Sequence, residues 1–324
     1  MLSSRPKFSR RLLGLALLPG LAILPFLLPD FRVFQLNLTI AFAIAILGLN
    51  ILTGYGGQIS LGHGAFYAIG AYAAAILIER FGFPYYATLA PAALLAFGFG
   101  ILMGFPALRL AGHYLALATF GLALAVPQLL KSRHLEAWTG GVQGIVLTKP
   151  EAPVQLRVLG EPLSDDRWMY FFSLGVFALV FWLAQNLLRG RIGRAIVAIR
   201  DHPTAAATLG VDLAKTKTLT FGVSAAITGV AGALGAITVA FVAPDSFPVF
   251  LSISFLVGMV VGGLASLPGA VIGAAFIQFV PNLAEQISRS APWAIYGVFL
   301  IAIMVVAPKG IISLVYPWRQ GARR

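Results

Sequence analysis

An all-α, polytopic membrane helix bundle is the fold class predicted by this 324-residue sequence. Three observations predict it. Hydrophobic residues make up 59% of the chain, with a mean hydropathy of +0.89. Only 10% of residues are charged, where soluble domains carry about a quarter. Several apolar runs approach or exceed the ~18 to 20 residues that cross ~30 Å of hydrocarbon. One integral membrane domain, 1–324, is expected.

Taken in order, the first 29 residues are basic and then apolar, but Pro19, Pro25 and Pro29 interrupt the run and no small-residue cleavage site follows. They read as an uncleaved first span at 12–29. Further apolar segments fall near 36–52, 60–78, 86–104, 114–130, 168–188, 219–242, 250–263, 268–281 and 292–307, giving about ten spans. The segments at 250–263 and 268–281 are short and read either as two crossings or as a broken, re-entrant pair. Two connections are long. Residues 131–167 are balanced in charge and contain the turn-rich WTGGVQGI (Trp138–Ile145). Residues 189–217 are basic.

Charge sets the orientation. With the N-terminus inside, the inner regions hold 15 Lys/Arg and two acids, Asp201 and Asp212, whereas the outer regions hold 8 and 9. This is the asymmetry of the positive-inside rule. It accounts for the net charge of +12 without nucleic acid. Both termini and 189–217 are expected in the cytoplasm, and 131–167 outside.

The stretch Asn50–Tyr72 (NILTGYGGQISLGHGAFYAIGAY) contains six glycines among polar groups, where a helix would otherwise continue. Non-helical backbone at membrane depth is tolerated when it is buried in protein or lines a water-filled cavity. A second stretch, Gly262–Leu267, repeats the pattern G-G-x-x-S-L of Gly56–Leu61, again between two apolar segments. Glycine-interrupted segments in two halves point to a central pathway in transporters. Asn50, Gln58, Ser60, His63 and Ser266 are therefore candidate pathway residues. Their second reading is that they cap broken helix ends.

Several chemistries lack equipment. The sequence has no cysteine, and its four histidines show no metal-ligand spacing. No G-x-x-x-x-G-K-[ST] occurs to cradle ATP phosphates. Span cores carry no Asp or Glu, the usual site of ion coupling, so the energy is expected from elsewhere. The reading is not an enzyme and not a metal protein.

In 189–217, Pro203 suits a first helical turn, with Asp201 or His202 as cap. Thr204–Leu209 is Ala-rich, and Gly210 suits the left-handed residue past a helix end. Such a short, smooth helix fits a groove on a partner, its neighbouring charges setting the register. Its second reading is a helix on the membrane surface.

This loop resembles the cytoplasmic loop of ABC-importer permeases, with Thr204-Ala205-Ala206 and Gly210 at the motif positions and the motif's leading acid absent. Six stretches then occur in the order of LivM-type permeases, which serve branched-chain amino acid ABC importers: Leu52–Tyr72, Pro106–Gly121, Thr139–Ile145, Gly193–Asp212, Gly262–Ala274 and Pro308–Ile311. The resemblance covers nearly the whole chain. It implies an inner-membrane importer subunit that works with a sister permease, two ATP-binding subunits that hold ATP and Mg, and a periplasmic binding protein. Pro203, Thr204, Ala205, Ala206 and Gly210 would then couple it to the ATP-binding subunits. Two competing readings are a stand-alone secondary transporter or channel for small polar solutes, and a structural subunit without a path of its own.

Overall fold

Asp30–Leu49 forms helix α1, which Asn50–Tyr55 extends as a π-helical turn; at 26 residues together they can span a bilayer at a tilt. This computed structural model describes residues 23–109, 112–151, 157–158, 161–162, 164–288 and 291–315. Of the expected first span, only 23–27, which is helical, and 28–29 belong to the described residues. After a non-helical passage, α2 (His63–Phe81) returns across the bundle, followed by α3 (Leu89–Arg109) and α4 (His113–Leu130). Next come a short α5 (Arg133–Thr139) and three two-residue strands: β1 (Ile145–Val146), β2 (Arg157–Val158) and β3 (Glu161–Pro162).

The second half contains α6 (Asp165–Arg189), α7 (Arg191–Asp201), α8 (Pro203–Thr208) and α9 (Leu213–Val239), then strand β4 (Phe241–Val242). It continues with α10 (Val249–Gly262), α11 (Gly269–Ile287), α12 (Pro292–Val306) and α13 (Ile312–Val315). Among the described residues, eight helical segments are long and apolar enough to cross a membrane. The expected segment at 292–307 is the 15-residue α12. The short pair resolves into two helices, α10 and α11, joined by a tight turn.

Helices α1, α2 and α9 form the centre, with α9 packed against α1, α2 and α3. Their closest approaches are made by small residues. A Cβ on Gly70 would collide with the backbone carbonyl of Gly229, and one on Gly232 with the carbonyl of Tyr67. In lipid, helices gain little from hydrophobic contact with each other, so close backbone approach of this kind carries the packing. The same device closes the α10–α11 pair, where Gly258 meets Gly273 and Gly262 meets Gly269.

The two ends of the bundle differ. At one end, Lys131 pairs with Asp245 at 2.5 Å, and Ser164 donates to Asp30 at 3.1 Å. Strand β1 pairs there with β4, so α9 stops at Val239, short of the expected 242, and Ala240 turns the chain at φ 58°. Gly140, Gly141 and Gly144 of the TGG stretch all adopt positive φ, which lets this cap fold tightly. The other end carries Arg189, Arg191, Arg194, Arg200, Lys215, Lys217 and Lys309 and is called the basic end below.

Candidate functional site at the basic end

The π-helical turn supplies the first anchor. Its ladder widens so that Gly56 N–H donates to Ile51 O at 3.1 Å and Gln58 N–H to Leu52 O at 3.2 Å. π-turns are rare and recur at functional sites. Asn50, at its start, is fully buried and holds the turn between α10 and α11. Its Nδ2 donates to Ser266 O at 2.9 Å and to Gly263 O at 3.4 Å, and its Oδ1 accepts Ala265 N–H at 2.8 Å. One amide thus replaces a missing stretch of ladder for a turn in which Ala265 sits at φ 55°.

Asn50 thus ties the π-turn that leads into the first G-G-x-x-S-L stretch to the second stretch, and the two stretches share local geometry. The second glycine of each has positive φ, Gly57 at 66° and Gly263 at 126°. The serine of each accepts an N–H from the chain entering the next helix: Gly62 N–H to Ser60 Oγ at 3.3 Å, and Gly269 N–H to Ser266 Oγ at 3.2 Å. Helix starts leave N–H groups without intrahelical partners. At α2 others are met from across the bundle, Leu61 N–H by Thr119 Oγ1 at 2.9 Å and Gly64 N–H by Ser252 Oγ at 2.8 Å.

His63 belongs to the same system and is fully buried. Ser224 donates its proton to Gly48 O at 2.6 Å, so its oxygen accepts from His63 Nε2–H at 2.7 Å. The Nδ1 lone pair then accepts from Ser60 Oγ–H at 3.0 Å. The pattern assigns the Nε2–H tautomer, with every polar atom of the ring engaged inside the fold. Gln58 differs from the other candidates: its side chain is nine-tenths buried, yet Oε1 has no partner.

The basic loop folds onto this cluster. Helix α7 is amphipathic and buries Gly193, Ile196 and Ile199. His202 occupies the N-cap of α8 without a side-chain capping bond, Pro203 opens the helix, and Gly210 follows it at φ 84°. Of the five residues singled out in this loop, Pro203, Thr204, Ala205 and Gly210 are exposed. Ala206 is turned inward at 3% exposure, where it seats the helix on the bundle.

Two residues of this loop have surroundings that the sequence does not specify. Leu209, at the end of α8, is 84% exposed. Arg200 donates from Nη1 to Gly54 O at 3.0 Å, a partner that spacing could not reveal. The last quoted motif, Pro308–Ile311, docks here as well: Ile311 N–H donates to Val261 O at 2.8 Å, and Gly310 packs on Gly263. Among the described residues no cluster of His, Cys, Asp or Glu could hold a metal ion.

The family described as "Branched-chain amino acid transport system / permease component" matches residues 32–308. The high-affinity branched-chain amino acid transport system permease protein LivM of Escherichia coli K12 is 33% identical over 95% of this chain and 76% of its own. LivM of Salmonella typhimurium LT2 is 31% identical with the same coverage. LivH of Escherichia coli K12, a permease protein of the same kind of system, is 24% identical over 84% of this chain and 91% of its own. No solved structure matches. The match runs from α1 through α12, and the chain belongs to the branched-chain amino acid transport system permease family.

Proposed function

We propose that this chain is a transmembrane permease subunit of an ATP-driven importer for branched-chain or chemically related amino acids or amides, working by alternating access. Its basic end faces the cytoplasm of a bacterial inner membrane, with both termini on that side. A sister permease completes the pathway, two ATP-binding subunits hold ATP and Mg, and a periplasmic binding protein delivers substrate to the face that includes 131–167. The chain itself hydrolyses nothing.

The observation that carries this reading is the exposed α8 with Leu209 beyond it, presented at the basic end on a loop whose inner face packs on the bundle. An apolar anchor framed by exposed small residues suits a groove on a partner. Among the pathway candidates, Gln58 retains an open acceptor, whereas Asn50, Ser60, His63 and Ser266 hold the broken helix ends that shape the route.

The test is uptake of labelled leucine into proteoliposomes, with and without ATP and the ATP-binding subunits. Uptake that requires both supports the reading. Uptake by the chain alone, without ATP, overturns it in favour of a secondary transporter or channel.

A further inference from the structure

We infer that Arg200 is a positioning residue that ties the basic loop to the broken helix, so that movement of α7 and α8 is delivered to the π-turn and onward to the 263–266 turn. The inference rests on the importer reading above and adds to it a route of transmission.

The end of a helix leaves carbonyls without partners and carries partial negative charge. The long α1 and its π-turn end at Tyr55, and Gly54 O is one of those carbonyls. It is satisfied from another element, by the Arg200 guanidinium. That guanidinium is held in place by its neighbour, with Nε and Nη2 both 2.9 Å from Asp201 Oδ1. The stem of Arg200 lies across Gly57, where an added Cβ would come within 2.7 Å of Arg200 Cγ. Gly57 also has φ 66°, so side chains are disfavoured there on two counts. The contact is thus a fitted one, in both hydrogen bonding and shape.

Gly54 is fitted on its other side. A Cβ there would collide with Asn50 Oδ1 and lie 2.7 Å from Ala265 N. The residue whose carbonyl Arg200 grips is therefore pressed against the amide clamp that organises the 263–266 turn. That turn in turn packs on Gly310. A displacement of α7 cannot leave the π-turn in place without breaking the Arg200 bond, and the π-turn cannot move without disturbing the Asn50 clamp. The π-turn is itself a local departure from the α ladder, of the kind that recurs at functional sites.

The experiment is hydrogen–deuterium exchange on the assembled complex, with and without ATP plus vanadate, together with substrate uptake per ATP hydrolysed. In the wild type, ATP should change exchange in peptides covering 203–210, 50–58 and 263–268. In Arg200→Ala, the response at 203–210 should persist while those at 50–58 and 263–268 are lost. Uptake per ATP should fall about tenfold or more, as loss of a typical coupling energy implies. Arg200→Lys keeps a cationic donor and should restore part of both; it also serves should the alanine variant fail to assemble. If 263–268 responds equally in wild type and both variants, or stays silent in the wild type while 203–210 responds, the relay is overturned and the importer reading stands. If ATP leaves 203–210 unchanged in the wild type, both fall.

Discussion

The side-chain oxygen of Asn50 accepts the backbone N–H of Ala265 at 2.8 Å, across 215 residues of sequence. With its two donated bonds, that amide satisfies three backbone groups of a turn that has no ladder of its own. Asn50→Ala should orphan them, at about 1–3 kcal/mol for each buried group left without a partner. A marked drop in the thermal unfolding midpoint of purified protein is the expected result. Asn50→Asp is a sharper test. It keeps the shape and the acceptor for Ala265 but points a carboxylate oxygen at the carbonyls of Gly263 and Ser266, so it should be no more stable than the alanine variant.

The His63–Ser224 pair should behave as one unit. Ser224→Ala removes both the acceptor for His63 Nε2–H and the donor to Gly48 O. A double-mutant cycle of Ser224→Ala and His63→Ala should give an interaction energy of roughly 0.5–3 kcal/mol, the range for residues in one network. Additive effects would show that the directional chain of hydrogen bonds has been misassigned.

Glycines in the bundle should separate into two classes. Gly70 faces the backbone of Gly229 across the α2–α9 contact, so Gly70→Ala must push the helices apart, at about 1–3 kcal/mol or more. Gly98, in α3, would place its Cβ in open space. Gly98→Ala should stabilise by roughly 0.5–1 kcal/mol through backbone entropy. Thermal melts of both variants in one detergent give the comparison directly.

Exposure in the basic loop predicts a pattern of reactivity. The chain has no native cysteine, so single cysteines report cleanly. Ala205→Cys should react with a membrane-impermeant maleimide in inside-out vesicles, and Ala206→Cys, at 3% exposure, should not. Binding of the ATP-binding subunits should shield Ala205→Cys. Leu209→Ala should weaken that binding by about 1–2 kcal/mol, the scale of losing part of a buried leucine side chain.

Much of this was legible in the sequence, and the reason is local. A spanning helix must satisfy its own backbone in lipid, so length and hydropathy alone mark where helices run. Spans at 86–104, 114–130 and 168–188 are close to the helices found at Leu89–Arg109, His113–Leu130 and Asp165–Arg189. Pro203 and Gly210 bracketed α8 because a proline at a helix start and a left-handed glycine after its end are properties of single residues.

Tertiary structure decided the rest. Which face of a lipid-embedded helix is buried leaves little trace in sequence, because lipid and protein core are equally apolar. Nothing local distinguishes Ala205, facing out, from Ala206, facing in. Asn50 and Ser266 both stood out as polar residues at breaks, but only the fold joins the Asn50 side chain to the Ser266 backbone. Likewise Arg200 is, in the sequence, one positive charge among several of its loop, while packing aimed it at the carbonyl of Gly54. The sequence by itself determined a bundle of spans broken at two glycine-rich points. Long-range hydrogen bonding, which depends on where helices cross and not on what each prefers to form, decided that the two breaks are one site.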